Sequence, residues 1–214
     1  IASIEVVINM ITDKHSSEVR SSASLALSKL FDAAVDSVSK GLPLSATTTA
    51  TTANTDRNTL NEILNLSLNK LIESLKGENN ITARGCSADC LNQILTSCYN
   101  SSPENVDGSR NSNNVLIKPD IAVSKAIIIE LLNCCQLSVT RRIEKENEFK
   151  SNEGLEDEDI EQFETEMEEE EDLLRDIVDS MGVLLKLHSP DNTNTSHNEI
   201  MDVFDSHVAP LFAP

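Results

Sequence analysis

Apolar residues recur at three- and four-residue spacing along most of the chain, and the intervals between them are polar. The most regular stretch is Leu173, Leu174, Ile177, Val178, Met181, Leu184, Leu185 and Leu187, one face of a helix. Asp172, Arg175, Asp176, Asp179 and Lys186 take its other face, and Ser189-Pro190 closes it. One apolar stripe needs a partner, so further helices are expected. Ile4, Val7, Ile8 and Ile11 form a short face. After a turn at Asp13 to Ser17, where Ser16 or Ser17 caps, Val19, Ala23, Ala26, Leu27, Leu30, Phe31 and Ala34 form a second, which Gly41-Leu42-Pro43 ends. Thr59 with Glu62 reads as a capping box opening a helix through Leu60, Ile63, Leu64, Leu71, Ile72 and Leu75. Asn79 or Asn80 starts its partner, with Ile81, Ala88, Leu91, Ile94, Leu95 and Cys98 inward. Gly85 costs that helix about 1 kcal/mol relative to Ala, which suggests a closely packed neighbour.

Pro119 suits a helix first turn, and Ile121, Ala126, Ile127, Leu131, Leu132, Cys135 and Val139 continue into Ile143 and Phe149, a long helix with a charged distal end. Ile127-Ile128-Ile129 alone also fits a buried strand, but no second strand exists to pair with it. The reading is all-α: one array of three to four helical hairpins, at about 1–41, 56–99, 118–188 and 197–214, with mobile insertions at 43–55, 100–116 and 151–166. Repeated helix–turn–helix units that bury their faces by stacking make an α-α superhelix, or α-solenoid.

Composition supports helices over strands: aromatic residues make up 3% of the 214, with no Trp and a single Tyr. The net charge is -19, concentrated in an unbroken acidic run that repels itself and is not expected to fold alone. Its carboxylates are Glu156, Asp157, Glu158, Asp159, Glu161, Glu164, Glu166, Glu168, Glu169, Glu170, Glu171 and Asp172, the candidate surface for a basic partner. Their plainer role is to keep the chain soluble. Only 17 Lys and Arg are spread over the chain, which argues against direct nucleic-acid binding. The five cysteines are odd in number, and Cys86, Cys90, Cys134 and Cys135 read as buried reduced thiols; no zinc site is expected, because no His or second Cys pair lies at ligand spacing. The sequons at Asn65, Asn80, Asn100 and Asn194 are a pattern that a chain rich in Asn, Ser and Thr makes by chance. No apolar run long enough to cross a bilayer is expected from the pattern. Ile1 and Pro214 both stand in mid-pattern, so an internal piece of a longer polypeptide is expected.

The run Asp13, Glu18-Val19-Arg20, Ala23, Ala26, Leu27 and Leu30 resembles the second-helix signature of a HEAT repeat. That resemblance implies that Asp13 and Arg20 satisfy the turn and link neighbouring units, while Val19, Ala23, Leu27 and Leu30 fill the core. The segment from Pro119 to Pro214 is similar to an internal region of the karyopherin-β3 branch of importin-β nuclear transport receptors. The likeness lies in the basic end Arg141-Arg142-Ile143-Glu144-Lys145, the acidic tract, Leu173-Leu174-Arg175-Asp176-Ile177-Val178-Asp179-Ser180-Met181, and the close His207-Val208-Ala209-Pro210-Leu211-Phe212.

What the resemblance implies is an armadillo-like helical receptor shuttling between cytoplasm and nucleus. Its partners would be cargo with basic localisation signals, Ran-GTP and nucleoporins. A HEAT scaffold of another complex, such as a phosphatase regulatory subunit or a histone-binding adaptor, is the alternative. His15, His188, His197 and His207 are scattered, and no nucleophile elbow or phosphate loop is present, so no enzyme, cofactor or membrane partner is expected.

Overall fold

The computed structural model describes residues 2–40, 42, 44, 53–101, 117–152, 156–188 and 195–207. Among them every regular element is a helix. These are α1 (Ala2–Met10), α2 (Ser17–Ser39), α3 (Ala53–Gly77), α4 (Ile81–Asn100), α5 (Ile121–Ser151), α6 (Asp157–Leu187) and α7 (Thr195–His207). Local chemistry sets several of the starts. Ser16 caps α2 by accepting from the Val19 amide at 3.2 Å, and Asn80 caps α4 by accepting from the Ala83 amide at 2.9 Å.

The helices form two rows. One contains α1, α3, α5 and α7 in order, and the other α2, α4 and α6; α1, α3 and α5 also pack on their hairpin partners α2, α4 and α6. The second row is the more tightly joined, with α4 gripped between α2 and α6. Leu27, Phe31, Leu64, Leu68, Leu91, Ile94, Leu95 and Ile127 lie fully buried between the rows, and one apolar cluster runs from Ile4 to Ile200. Each such Leu or Ile contributes about 1.5–3 kcal/mol by leaving water.

Small polar residues line the contacts of α4 with α2 and α3. The hydroxyls of Ser24 in α2 and Ser74 in α3 lie 3.3 and 3.0 Å from that of Ser87 in α4, which donates to the Ala83 carbonyl at 3.1 Å. A hydroxyl satisfied by its own helix can be buried cheaply and leaves room for a close backbone approach.

Several expectations change. The second helix of the third hairpin begins at Asp157, not Leu173, so residues 157–166 of the expected insertion are helix; of the other two insertions, only a few residues are described. The reason is a neighbour, the distal half of α5, which a reading of the tract by itself lacks. Likewise α3 begins at Ala53, so Thr59 and Glu62 lie inside it rather than at its start. Pro119 precedes the Asp120 cap of α5 and is not in the first turn. Nothing stands within 4 Å of a Cβ built on Gly85, so no close neighbour explains that glycine.

Val19 is 38% exposed instead of core, and Leu30 is half-buried. All five cysteines are free, but Cys86 and Cys135 are only half-buried. One apolar stretch is also longer than the pattern suggested: an 18-residue window in α5 has a mean hydropathy of 1.5, enough by length and composition to cross a membrane. Here α5 is packed on α3, α6 and α7.

Candidate functional site

The acidic tract is built on the first half of α6, where helical periodicity divides its carboxylates among different surroundings. Glu156, Asp157, Glu158, Asp159, Glu161, Glu164, Glu168, Glu171 and Asp172 are exposed. The remaining three are committed to the protein itself. Glu166 is ion-paired with Lys145 of α5, and Glu169 accepts from the Thr82 hydroxyl of α4 at 3.3 Å. Glu170 is 3% exposed, holds Arg84 of α4 at 2.5 Å and accepts from the Ser138 hydroxyl of α5. Glu170 therefore leaves the candidate surface: no partner reaches it.

Arg84, Ser138 and Glu170 join α4, α5 and α6. Burial pulls the Arg84 guanidinium below its usual pKa, against the pull of Glu170, and its Nε has no hydrogen-bond partner. A lone buried charge would be far more costly than this pair. Lys76 of α3 reaches Glu130 of α5 at 3.0 Å, two turns of α5 before Ser138.

Beyond Ser138 and Glu169, toward the C-terminal end of α5 and the start of α6, the polar and ring contacts that link one helix to another run, among the described residues, only between those two helices. They are the Lys145–Glu166 pair and the stacked rings of Phe149 and Phe163, with centroids 4.1 Å apart and planes at 14°. The two helices thus form an arm, which on the α6 side from Asp157 to Glu168 is about 17 Å long at the rise of an α-helix. The Glu156 amide donates to Asp159 Oδ2 at 3.1 Å and fastens the start of α6.

The exposed carboxylates continue onto the second row. Asp176 lies near Asp89 of α4, Asp172 and Asp179; burial first and then these like charges raise its pKa, and Arg175 opposes the rise. Arg175 itself pairs with Asp172 at 2.6 Å, an exposed contact of small worth. Asp89 was not among the residues singled out from sequence. It stands next to Cys90 in the chain, and only the packing of α4 on α6 brings it to Asp176.

Asp13 and Arg20, the turn and linking residues of the repeat-like signature, lie at the other end of the chain. The His15 and Ser16 amides donate to Asp13 at 2.8 and 3.1 Å and hold its carboxyl below the usual pKa. Arg20 donates to the Asp13 carbonyl at 2.7 Å and pairs with Glu78 at the α3–α4 turn, which raises the Arg20 pKa. Burial opposes the charge on Glu78, but Arg20 and the Asn80 amide outweigh it and keep the carboxyl below its usual value. Ala23 and Leu27 are buried in the core.

Among the described residues no group of three or more His, Cys, Asp or Glu is placed to hold a metal ion. His15 and His207 are exposed, and His188 is buried against Ser124; the side chain of His197 lies outside the described residues. Of the sequon residues, Asn80 is engaged as a helix cap and Asn65 lies within α3, where Ser67 of its sequon is buried.

Fold and site together define a class: an all-helical protein of stacked hairpins in two rows, with a projecting acidic arm. No protein-family model, no curated protein and no solved structure matches the chain.

Proposed function

We propose that the chain is a protein-binding scaffold of the importin-β kind. In this role its acidic flank receives cargo with basic localisation signals, and Ran-GTP and nucleoporins act on the same receptor in cytoplasm and nucleus. One observation carries the reading: most of the carboxylates between Glu156 and Asp172 stay exposed although the tract is folded as helix. Holding like charges in a row on a rigid element costs repulsion, and a Lys- and Arg-rich segment relieves it. The strain at Asp176 among Asp89, Asp172 and Asp179 adds to the same field. The sequence likeness to the karyopherin-β3 branch supplies the cargo class and Ran.

The field acts mainly on encounter rate and less on final affinity. Neutralising Glu164, Glu168, Glu171 and Asp172 together should weaken binding of a labelled basic localisation peptide about tenfold at low salt, and added salt should weaken the unmodified protein toward the same value. Fluorescence anisotropy measures both. Equal affinity of the two proteins at low salt would remove the reading. A pull-down with Ran loaded with GTP against Ran loaded with GDP tests the receptor assignment separately.

A further inference from the structure

The arm carries a feature that the exposed carboxylates alone do not account for. A groove of about 260 Å³ opens at its far end, lined by Lys145, Glu148 and Phe149 of α5, Asn152, and Asp159, Gln162, Phe163 and Glu166 of α6. Its apolar element is the stacked pair Phe149 and Phe163, both only half-buried. Its charges are uneven. Lys145 is spent on Glu166, and Gln162 donates to Glu166 at 3.1 Å, so those three satisfy one another. Glu148 has no side-chain partner among the described residues, and Asp159 gives one oxygen to the Glu156 amide. The groove is left with two under-used carboxylates beside aromatic carbon.

We infer that this groove is a docking site for an arginine side chain in a basic segment of a partner protein. The inference rests on the basic-partner reading above and narrows it to one locus and one residue type. Three features select the occupant. The volume lies below the roughly 300–1,000 Å³ usual for small-molecule sites, and so suits one inserted side chain. The unbalanced carboxylates call for a cation. Between the two candidate cations, a planar guanidinium bonds carboxylates in pairs and lies along aromatic rings, whereas an ammonium is a compact, strongly hydrated charge. A second copy of this chain is disfavoured, because two arms of like charge repel.

The test uses the full chain and two short labelled peptides, one of alternating Arg and Gly and its Lys-for-Arg counterpart, followed by fluorescence anisotropy at low salt. The Arg peptide is expected to bind more tightly than the Lys peptide, and E148Q/D159N is expected to weaken it about tenfold. E5Q/D202N, which changes net charge equally at exposed sites on α1 and α7, is expected to leave it unchanged. F163L, which keeps the arm apolar, should narrow the difference between the two peptides. Circular dichroism establishes that each variant is folded.

Equal weakening by E148Q/D159N and E5Q/D202N would reduce the effect to net charge and overturn the groove. So would binding that E148Q/D159N leaves intact while neutralisation of Glu164, Glu168, Glu171 and Asp172 abolishes it; that outcome spares the broader reading. Absence of binding by either peptide would end both. Concentration-dependent self-association lost in E148Q/D159N would give the groove to a second copy and overturn the arginine assignment.

Discussion

At the scale of single residues, the buried polar groups are the most exposed to error by substitution. Glu170 shares its carboxylate between Arg84 and Ser138 with almost no solvent to replace either. Glu170→Ala leaves Arg84 buried and unpaired and should cost about 3–5 kcal/mol in urea unfolding, whereas Arg84→Leu combined with Glu170→Leu should recover much of it. A double substitution as damaging as the single one would show that the pair does more than neutralise itself. Nothing in the tract's sequence distinguishes Glu170 from Glu168 or Glu171. The difference comes from a helical phase fixed by Arg84, 86 positions earlier in the chain, which no local pattern contains.

His188 makes a second residue-scale case. Its Nε2 lies 2.9 Å from the Ser124 hydroxyl and its Nδ1 has no partner, and burial, with Lys118 adding to it, lowers the pKa from 6.5 to about 4. In this interval the unfolded chain binds a proton that the folded one refuses. Stability is therefore full above about pH 6.5 and is lost as pH falls toward about 4. The urea midpoint of the unmodified protein should fall more steeply over that window than that of His188→Gln. Parallel curves would place the acid sensitivity elsewhere.

At the scale of elements, the arm is the part of the fold that depends least on the array. Its inner side is held by the Phe149–Phe163 stack and the Lys145–Glu166 pair, against repulsion among the acids of α6. An aromatic pair adds about 0.5–1.5 kcal/mol beyond its buried area, comparable to the cost of a few like-charge neighbours. Phe149→Ala should therefore speed amide hydrogen exchange across 157–167 while leaving 173–187 protected. Equal acceleration along the whole of α6 would mean that the helix opens as one unit. The amphipathic half of α6 was legible from residue spacing alone. The acidic half was not, because its stabilising neighbour is the distal end of α5.

At the scale of the molecule, stability is shared along two rows, with α4 at the centre of the second. Leu91 is fully buried there, and Leu91→Ala should cost about 2–5 kcal/mol in thermal or urea unfolding followed by circular dichroism. A loss below about 1 kcal/mol would mean that the rows close over the cavity and are less tightly packed than they look.

What the sequence alone determined is the helical class and, for most helices, which face turns inward, because apolar spacing at the period of a helix is a local property. Pairing of the helices, the burial of Glu170, the meeting of Asp89 with Asp176 and the groove lined by the stacked Phe149 and Phe163 were decided only in three dimensions. Each depends on the rotation and register of one helix against another. Those are set by the summed packing of side chains far apart along the chain, to which small buried residues such as Ser24, Ser74 and Ser87 contribute beside the apolar stripes.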